Sequence, residues 1–177
     1  MAKDSTAHKE RGALRDSVFL KLAPRFVVCY AVLLGVFVWA SGNTRMLADA
    51  EVATAAAAGA LMNLTGVAAT RVGTLISVPG RQLSIGPDCT GISIAVLLVS
   101  LVIAYPVKIS SKLIGVLAGV VAVLIANLLR LVAVAQISRA PDAVFNTAHD
   151  FLFQVGMVAV AVAVWAYWLS FARARES

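Results

Sequence analysis

Four long apolar runs restrict the folds that this sequence can adopt. They cover residues 22–40, 90–105, 113–135 and 151–171, and each approaches or exceeds the length of about 20 residues that crosses a bilayer as a helix. Because 60% of the 177 residues are hydrophobic and only 14% are charged, the chain is too apolar for a soluble domain and too short for a second unit. We therefore predict one all-α polytopic membrane domain over residues 1–177, with about four transmembrane helices.

Residues 48–70 form an alanine-rich segment whose relation to the membrane has to be decided separately. Alanine is nearly neutral toward lipid, and Asp49, Glu51 and Asn63 oppose insertion. We predict an extracytoplasmic helix that lies on or near the membrane surface.

The basic residues orient the predicted spans. With four spans and the amino terminus inside, ten of the 15 Lys and Arg residues lie on the cytoplasmic side, whereas a span at 48–70 would turn Lys108 and Lys112 outward, against the positive-inside rule. The prediction is a protein of the cytoplasmic (inner) membrane with both termini in the cytoplasm. Residues 1–21 are then a cytoplasmic tail and residues 42–88 an extracytoplasmic segment.

The second half of the extracytoplasmic segment has the pattern of a small β-hairpin. Val72, Thr74, Ile76 and Val78 stand at alternate positions, Pro79 and Gly80 form a turn pair, and Leu83 and Ile85 continue the alternation after it. The hairpin leads directly into Cys89. By its alternation alone, it offers an edge to which an extended substrate could add as a strand.

Three side chains reach the outer membrane face under this topology. Cys89 precedes the second span, Arg130 lies near the end of the third, and His149 precedes the fourth. A thiolate can attack a carbonyl, an imidazole can move a proton near neutral pH, and a guanidinium can stabilise an oxyanion. Gly91 lacks a side chain and would let a substrate backbone approach the cysteine.

Each of these residues also has an ordinary structural explanation. A cysteine at a helix entrance can simply pack, and an arginine near a helix end can extend to the lipid headgroups. Asp88 or Thr90 can cap the helix that follows Cys89, although the charge of Asp88 would oppose a thiolate there. His149 can serve at a helix start in which Thr147 is the N-cap and Asp150 a favourable acid of the first turn.

Several other chemistries are disfavoured by the sequence. The net charge of +6 comes from basic residues beside the apolar runs, so we expect contact with membrane lipids and no nucleic acid. Two isolated cysteines make no disulfide framework, and Cys29 receives no function. Only Cys89 and His149 are good ligands on the outer face, so we expect no metal and no cofactor.

Three motifs in a fixed order resemble those of the exosortase and archaeosortase family of membrane cysteine transpeptidases. Cys89-Thr90-Gly91 stands at a span entrance, Asn127-Leu128-Leu129-Arg130 near the end of a later span, and His149 downstream. Many members of the family have about eight spans, whereas this chain has the core four. The resemblance covers about residues 84–169 and implies a catalytic core over 90–171.

The resemblance implies a role for each matching residue. Cys89 would be the nucleophile, His149 the general acid or base, and Arg130 the electrophilic stabiliser, with Asn127 one helical turn away to orient it. The substrates would be exported proteins that end in a sorting signal made of a short motif, a membrane span and a basic cluster. The new carboxyl terminus would pass to a membrane or surface anchor whose acceptor nucleophile the sequence does not identify.

Two readings without this chemistry stay open. A non-enzymatic scaffold or partner subunit of an export or polysaccharide system could use Arg130 and His149 in a polar network between helices. A small transporter would need polar residues deep in its spans, whereas the charges here cluster at span ends.

Overall fold

A computed structural model describes the backbone of residues 2–43 and 45–175, and the side chains of residues 22–42, 45–149 and 154–175. Two features stand out: a helical bundle and a small antiparallel sheet inserted between its helices. In chain order the elements are α1 (Ala2–Asn43), α2 (Arg45–Leu64), β1 (Thr70–Val72), β2 (Leu75–Val78), β3 (Arg81–Ser84), a 3₁₀ turn (Pro87–Cys89), α3 (Ile92–Ala104), α4 (Ile109–Gln136), α5 (Asp142–Asn146), a π-helical turn (Thr147–Leu152) and α6 (Phe153–Ala174).

The predicted all-α polytopic architecture is confirmed, with one difference in the second span. Within the described part of the chain, three helical segments are long and apolar enough to cross a membrane: Leu22–Gly42, Ile109–Gln136 and Asp142–Ala174. The second predicted span forms α3, which has only 13 residues. At 1.5 Å per residue it extends about 20 Å, less than the hydrocarbon core of about 30 Å.

Both ends of α3 are fixed by local backbone chemistry. Its N-cap is Gly91, whose φ of 78° lies in the left-handed region and cannot continue a helix toward Cys89. At the other end Tyr105 is extended, as expected for a residue that precedes a proline. The apolar run of 90–105 is therefore longer than the helix that it forms.

Close packing of α3 and α6 against α4 holds the bundle together. Leu98 of α3 and Val123 of α4 are fully buried in its middle. Gly119 permits this approach, because a Cβ there would lie 2.4 Å from Leu98 Cδ2. One helical turn earlier, Gly115 makes room for Trp168, whose Nε1–H donates to the carbonyl oxygen of Ser111 at 3.0 Å.

The predicted hairpin exists and gains a third strand. The sheet order is β1-β2-β3 with antiparallel pairing throughout, and β2 and β3 meet at the Pro79-Gly80 turn, where Gly80 has a φ of 89°. The alternating pattern predicts a single strand over residues 72–78. The structure breaks it at Gly73, which has a φ of 61° and turns the chain from β1 into β2.

The alanine-rich segment forms the predicted helix, here α2, which begins at Arg45. Its small residues Ala55, Ala58 and Gly59 and the side chain of Met62 are buried, and they pack with the sheet and the last turns of α4. Alanine and glycine allow this close approach because they carry almost no side chain. The position of α2 relative to the membrane surface stays a prediction.

Candidate functional site

Cys89 ends the 3₁₀ turn that joins β3 to α3. The residue is half-buried, and its Sγ lies 4.0 Å from the carbonyl oxygen of Ser84 on β3. The following residue, Thr90, is buried and fixes the turn: its hydroxyl donates to the carbonyl oxygen of Pro87 at 2.7 Å and accepts the N–H of Ile92 at 3.3 Å. Of the two capping candidates Asp88 and Thr90, it is thus Thr90 whose hydroxyl receives an N–H of the first turn of α3.

A side-chain hydrogen bond joins the cysteine turn to α4. The Nδ2 group of Asn127, which is only 1% exposed, donates to the carbonyl oxygen of Cys89 at 2.7 Å. Gly91 accommodates this side chain, since a Cβ at that position would lie 3.0 Å from both Cβ and Cγ of Asn127. Glycine is therefore favoured at position 91 for two reasons: the backbone has a positive φ, and the side chain of Asn127 occupies the space of a Cβ. Approach of a substrate at Gly91 stays a prediction.

Two buried polar atoms on this part of α4 have no hydrogen-bond partner among the described residues. They are Oδ1 of Asn127 and Nε of Arg130, which lies one turn further along the helix. Buried polar atoms are nearly always paired in folded proteins, and an exception needs a specific explanation. The bond from Asn127 goes to the cysteine turn, so its predicted role in orienting Arg130 stays untested.

His149 lies in the π-helical turn that precedes α6. Its ring stacks on the ring of Phe145, with centroids 5.9 Å apart and an interplanar angle of 13°. The expectation that Thr147 is an N-cap is wrong, because Thr147 has helical angles (φ −60°, ψ −43°) and continues the chain from α5 into the π turn. The side chain of Asp150, the predicted first-turn acid, lies outside the described residues.

One apolar cluster connects the segments that carry the three candidate residues. Leu131, the neighbour of Arg130, and Phe145, the stacking partner of His149, belong to it, and Cys89 packs against it. The tertiary structure therefore brings these three segments to the same end of the bundle, although Asp88 stays exposed on its turn. A cleft of about 190 Å³ opens beside them between α2 and α4, with Thr54, Thr90 and Asn127 among its lining residues.

A family model described as transmembrane exosortase matches residues 15–169. The chain belongs to the transmembrane exosortase family. Searches of curated proteins and of solved structures give no match. The family match begins near the end of the amino-terminal tail and continues into α6, so it is wider than the motif region of about 84–169. Membership assigns this exosortase a membrane transpeptidase-type role.

Sequence reasoning missed one cationic residue of this exosortase, Arg81. It begins β3, and its guanidinium donates to the carbonyl oxygens of Ser138 at 3.0 Å and Ala140 at 3.1 Å and pairs with the carboxylate of Asp142. Its Cζ also lies 4.1 Å from the ring centroid of Phe145. No local pattern could have revealed these contacts, because the partners lie about 60 residues away along the chain.

Proposed function

We propose that this exosortase is a membrane cysteine transpeptidase that removes the carboxy-terminal sorting signal of exported proteins through a thioester on Cys89. The observation that carries the proposal is the hydrogen bond from Asn127 to the carbonyl oxygen of Cys89. This bond ties the backbone of the nucleophile to the part of α4 that carries Arg130, whose buried Nε has no hydrogen-bond partner among the described residues. A preorganised donor that the described residues leave unpaired is suited to a substrate oxygen that becomes charged during reaction.

The chemistry follows from these groups. His149 accepts the proton of Cys89, and Sγ attacks the carbonyl carbon of the scissile peptide bond. The guanidinium of Arg130 stabilises the oxyanion of the tetrahedral intermediate. His149 then returns the proton to the departing amine, so that the C–N bond breaks, the sorting signal leaves and a thioester remains. Water or the nucleophile of a membrane or surface anchor attacks the thioester and regenerates the thiol.

Among the described residues no strand pairs with β3 on the side away from β2, and this edge offers a place for an extended substrate. Val78 and Arg81 flank the two-residue turn and form a hydrogen-bonded pair, so the backbone groups of Gln82 and Ser84 point away from β2. The carbonyl oxygen of Ser84 is also the one that lies 4.0 Å from Cys89 Sγ. A substrate strand paired along this edge would run toward the nucleophile.

The length of α4 supports placement of the site at the outer membrane boundary. Asn127 stands 18 residues after Ile109, the first residue of α4. A rise of 1.5 Å per residue separates the two by about 27 Å, close to the hydrocarbon thickness of about 30 Å. If Lys108 and Lys112 mark the cytoplasmic boundary, as the positive-inside rule favours, Cys89 lies where a scissile bond just outside a substrate's span would lie.

The test is to co-express the full chain with candidate exported proteins that carry such a signal and to measure signal removal. We expect Cys89→Ala, Arg130→Ala and His149→Ala to abolish removal at normal membrane abundance. Cys29→Ala, at the chain's other cysteine, is the matched control and should process normally. Removal that survives Cys89→Ala would refute the enzyme and favour the scaffold reading, whereas loss confined to Cys89→Ala would refute only the roles given to Arg130 and His149.

A further inference from the structure

We infer that Arg81 is a positioning residue that holds His149 in register with Cys89, an inference that rests on the proposed function. Arg81 is neither one of the three candidate catalytic residues nor a neighbour of any of them in sequence. Its side chain is 22% exposed, and it contacts the loop after α4, the start of α5 and the ring on which His149 stacks.

The two ends of β3 contact different parts of the candidate site. At one end, the carbonyl oxygen of Ser84 lies 4.0 Å from the Sγ of Cys89. At the other end, three residues earlier, the side chain of Arg81 contacts the segment that leads to His149. A strand paired on one side with β2 is a stiff element, so β3 relates the nucleophile to that segment in a fixed geometry.

Several contacts hold the side chain of Arg81 in one position. Its Nε donates to the carbonyl oxygen of Ser138, and its Nη2 donates to that of Ala140 and also pairs with Asp142 in the first turn of α5. The turn that precedes β3 is held by the same loop, because the hydroxyl of Ser138 donates to the carbonyl oxygen of Pro79 at 2.9 Å. A planar guanidinium with several fixed donors is suited to such a clamp, whereas an ammonium is not.

The ring of Phe145 connects the guanidinium of Arg81 to the imidazole of His149. Phe145 is 8% exposed and is contacted by the Arg81 guanidinium at 4.1 Å from its ring centroid, in the geometry of a cation–π interaction. The same ring stacks on His149 four residues later. His149 lies in a π-helical turn, a rare conformation that occurs mostly as single turns, so we expect the orientation of its ring to depend on such contacts. Arg81 therefore acts on His149 through Phe145 and through the carbonyl groups of the loop that precedes α5.

The experiment measures the alkylation rate of Cys89 by iodoacetamide in membrane vesicles that contain the full chain with Cys29→Ser, so that one thiol is left. In the proposed function His149 accepts the proton of Cys89 and so assists attack by its Sγ, so loss of the imidazole should slow alkylation by up to about 30-fold. We expect His149→Ala to show most of this decrease. Arg81→Gln should slow alkylation by about 3-fold to 10-fold, since the loss of Arg81 misplaces the imidazole without removing it. Arg81→Lys should recover only a small part of the rate, because its ammonium keeps the charge but not the planar set of donors.

The decisive comparison is a double-mutant cycle. If Arg81 acts through His149, Arg81→Gln should change the rate by less than about 2-fold when His149→Ala is already present, because interacting residues are not additive. An equal loss in both backgrounds would mean a general structural role and would overturn the inference. The matched control is Arg71→Gln on β1, whose guanidinium binds only the nearby carbonyl oxygen of Gly73 among the described contacts; its rate should not change.

Two further variants keep the test decisive if Arg81→Gln does not reach the membrane. Phe145→Leu keeps an apolar side chain but removes the ring, and it should slow alkylation as Arg81→Gln does. Asp142→Asn removes an exposed ion pair, 85% exposed at the aspartate, and should change the rate by less than about 2-fold. An unaffected rate in Phe145→Leu would refute the inference while leaving the proposed function intact, whereas an unaffected rate in His149→Ala would refute both the inference and the proton-transfer role of His149.

Discussion

Replacement of Gly91 by alanine should alter the geometry of the cysteine turn without changing any proposed catalytic side chain. The backbone of Gly91 has a φ of 78°, which costs an L-residue with a side chain about 1 kcal/mol or more. The new Cβ would also lie 3.0 Å from two carbon atoms of Asn127 and 3.2 Å from its Nδ2. The side chain of Asn127 must move, although it is almost fully buried.

That movement acts on the 2.7 Å hydrogen bond between Asn127 and the carbonyl oxygen of Cys89. Loss of one such bond costs about 1 kcal/mol, and a buried amide left without its partner costs about 1 to 3 kcal/mol. Together with the backbone term, we expect Gly91→Ala to destabilise the fold by about 3 kcal/mol. A shift of the nucleophile by about 1 Å would reduce processing by about 100-fold.

The assay combines two measurements: the thermal unfolding midpoint of the detergent-solubilised protein and the rate of signal removal by the membrane-embedded protein. Gly86→Ala is the matched control, because this glycine lies in the same connection, has an extended backbone and has no atom within 4 Å of an added Cβ. Adding Asn127→Ala to Gly91→Ala should restore part of the lost midpoint, since it removes the close contacts with Cγ and Nδ2 and leaves only the one with Cβ. Equal midpoints and rates for Gly91→Ala and Gly86→Ala would refute the reasoning.

Two other predictions test the bundle and the sheet edge. Gly115→Ala places a Cβ 2.3 Å from Trp168 Nε1 and disturbs the hydrogen bond from Trp168 to Ser111, so the thermal unfolding midpoint should fall by the equivalent of about 1 to 3 kcal/mol. Gly35→Ala is the control and should not lower the midpoint, because no atom lies within 4 Å of an added Cβ there. Equal midpoints for the two variants would contradict the packing argument. Gln82→Pro removes an N–H that points away from β2, so it should impair signal removal at normal membrane abundance, and unchanged removal would exclude strand pairing of the substrate at β3.

Much of the architecture was predictable because its signals are local. Apolar runs of spanning length predicted the helices now seen as parts of α1, α4 and the segment from Asp142 to Ala174. Pro79 and Gly80 predicted the turn between β2 and β3, and the motif order predicted the family that the match over residues 15–169 shows. Each of these features can be read from residues that are adjacent or regularly spaced.

The errors arose where a backbone conformation interrupts a composition pattern. The run of 90–105 is apolar throughout, but a left-handed Gly91 and the proline after Tyr105 shorten α3 to 13 residues. Likewise Gly73 turns the chain within what alternation predicted to be one strand, and Thr147 is helical where a cap was expected. Hydrophobicity reports the environment of a side chain, but it does not report the φ of the backbone.

By itself the sequence determined that this chain is a helical membrane protein and which residue types can supply a nucleophile, a base and a cation. The tertiary structure alone decided that Asn127 binds the turn of Cys89, 38 residues away, and that Arg81 binds Ser138, 57 residues away. Such contacts depend on how α4, β3 and α5 pack against one shared apolar cluster. Packing is a property of all the elements together, so no periodicity or spacing within one element specifies it.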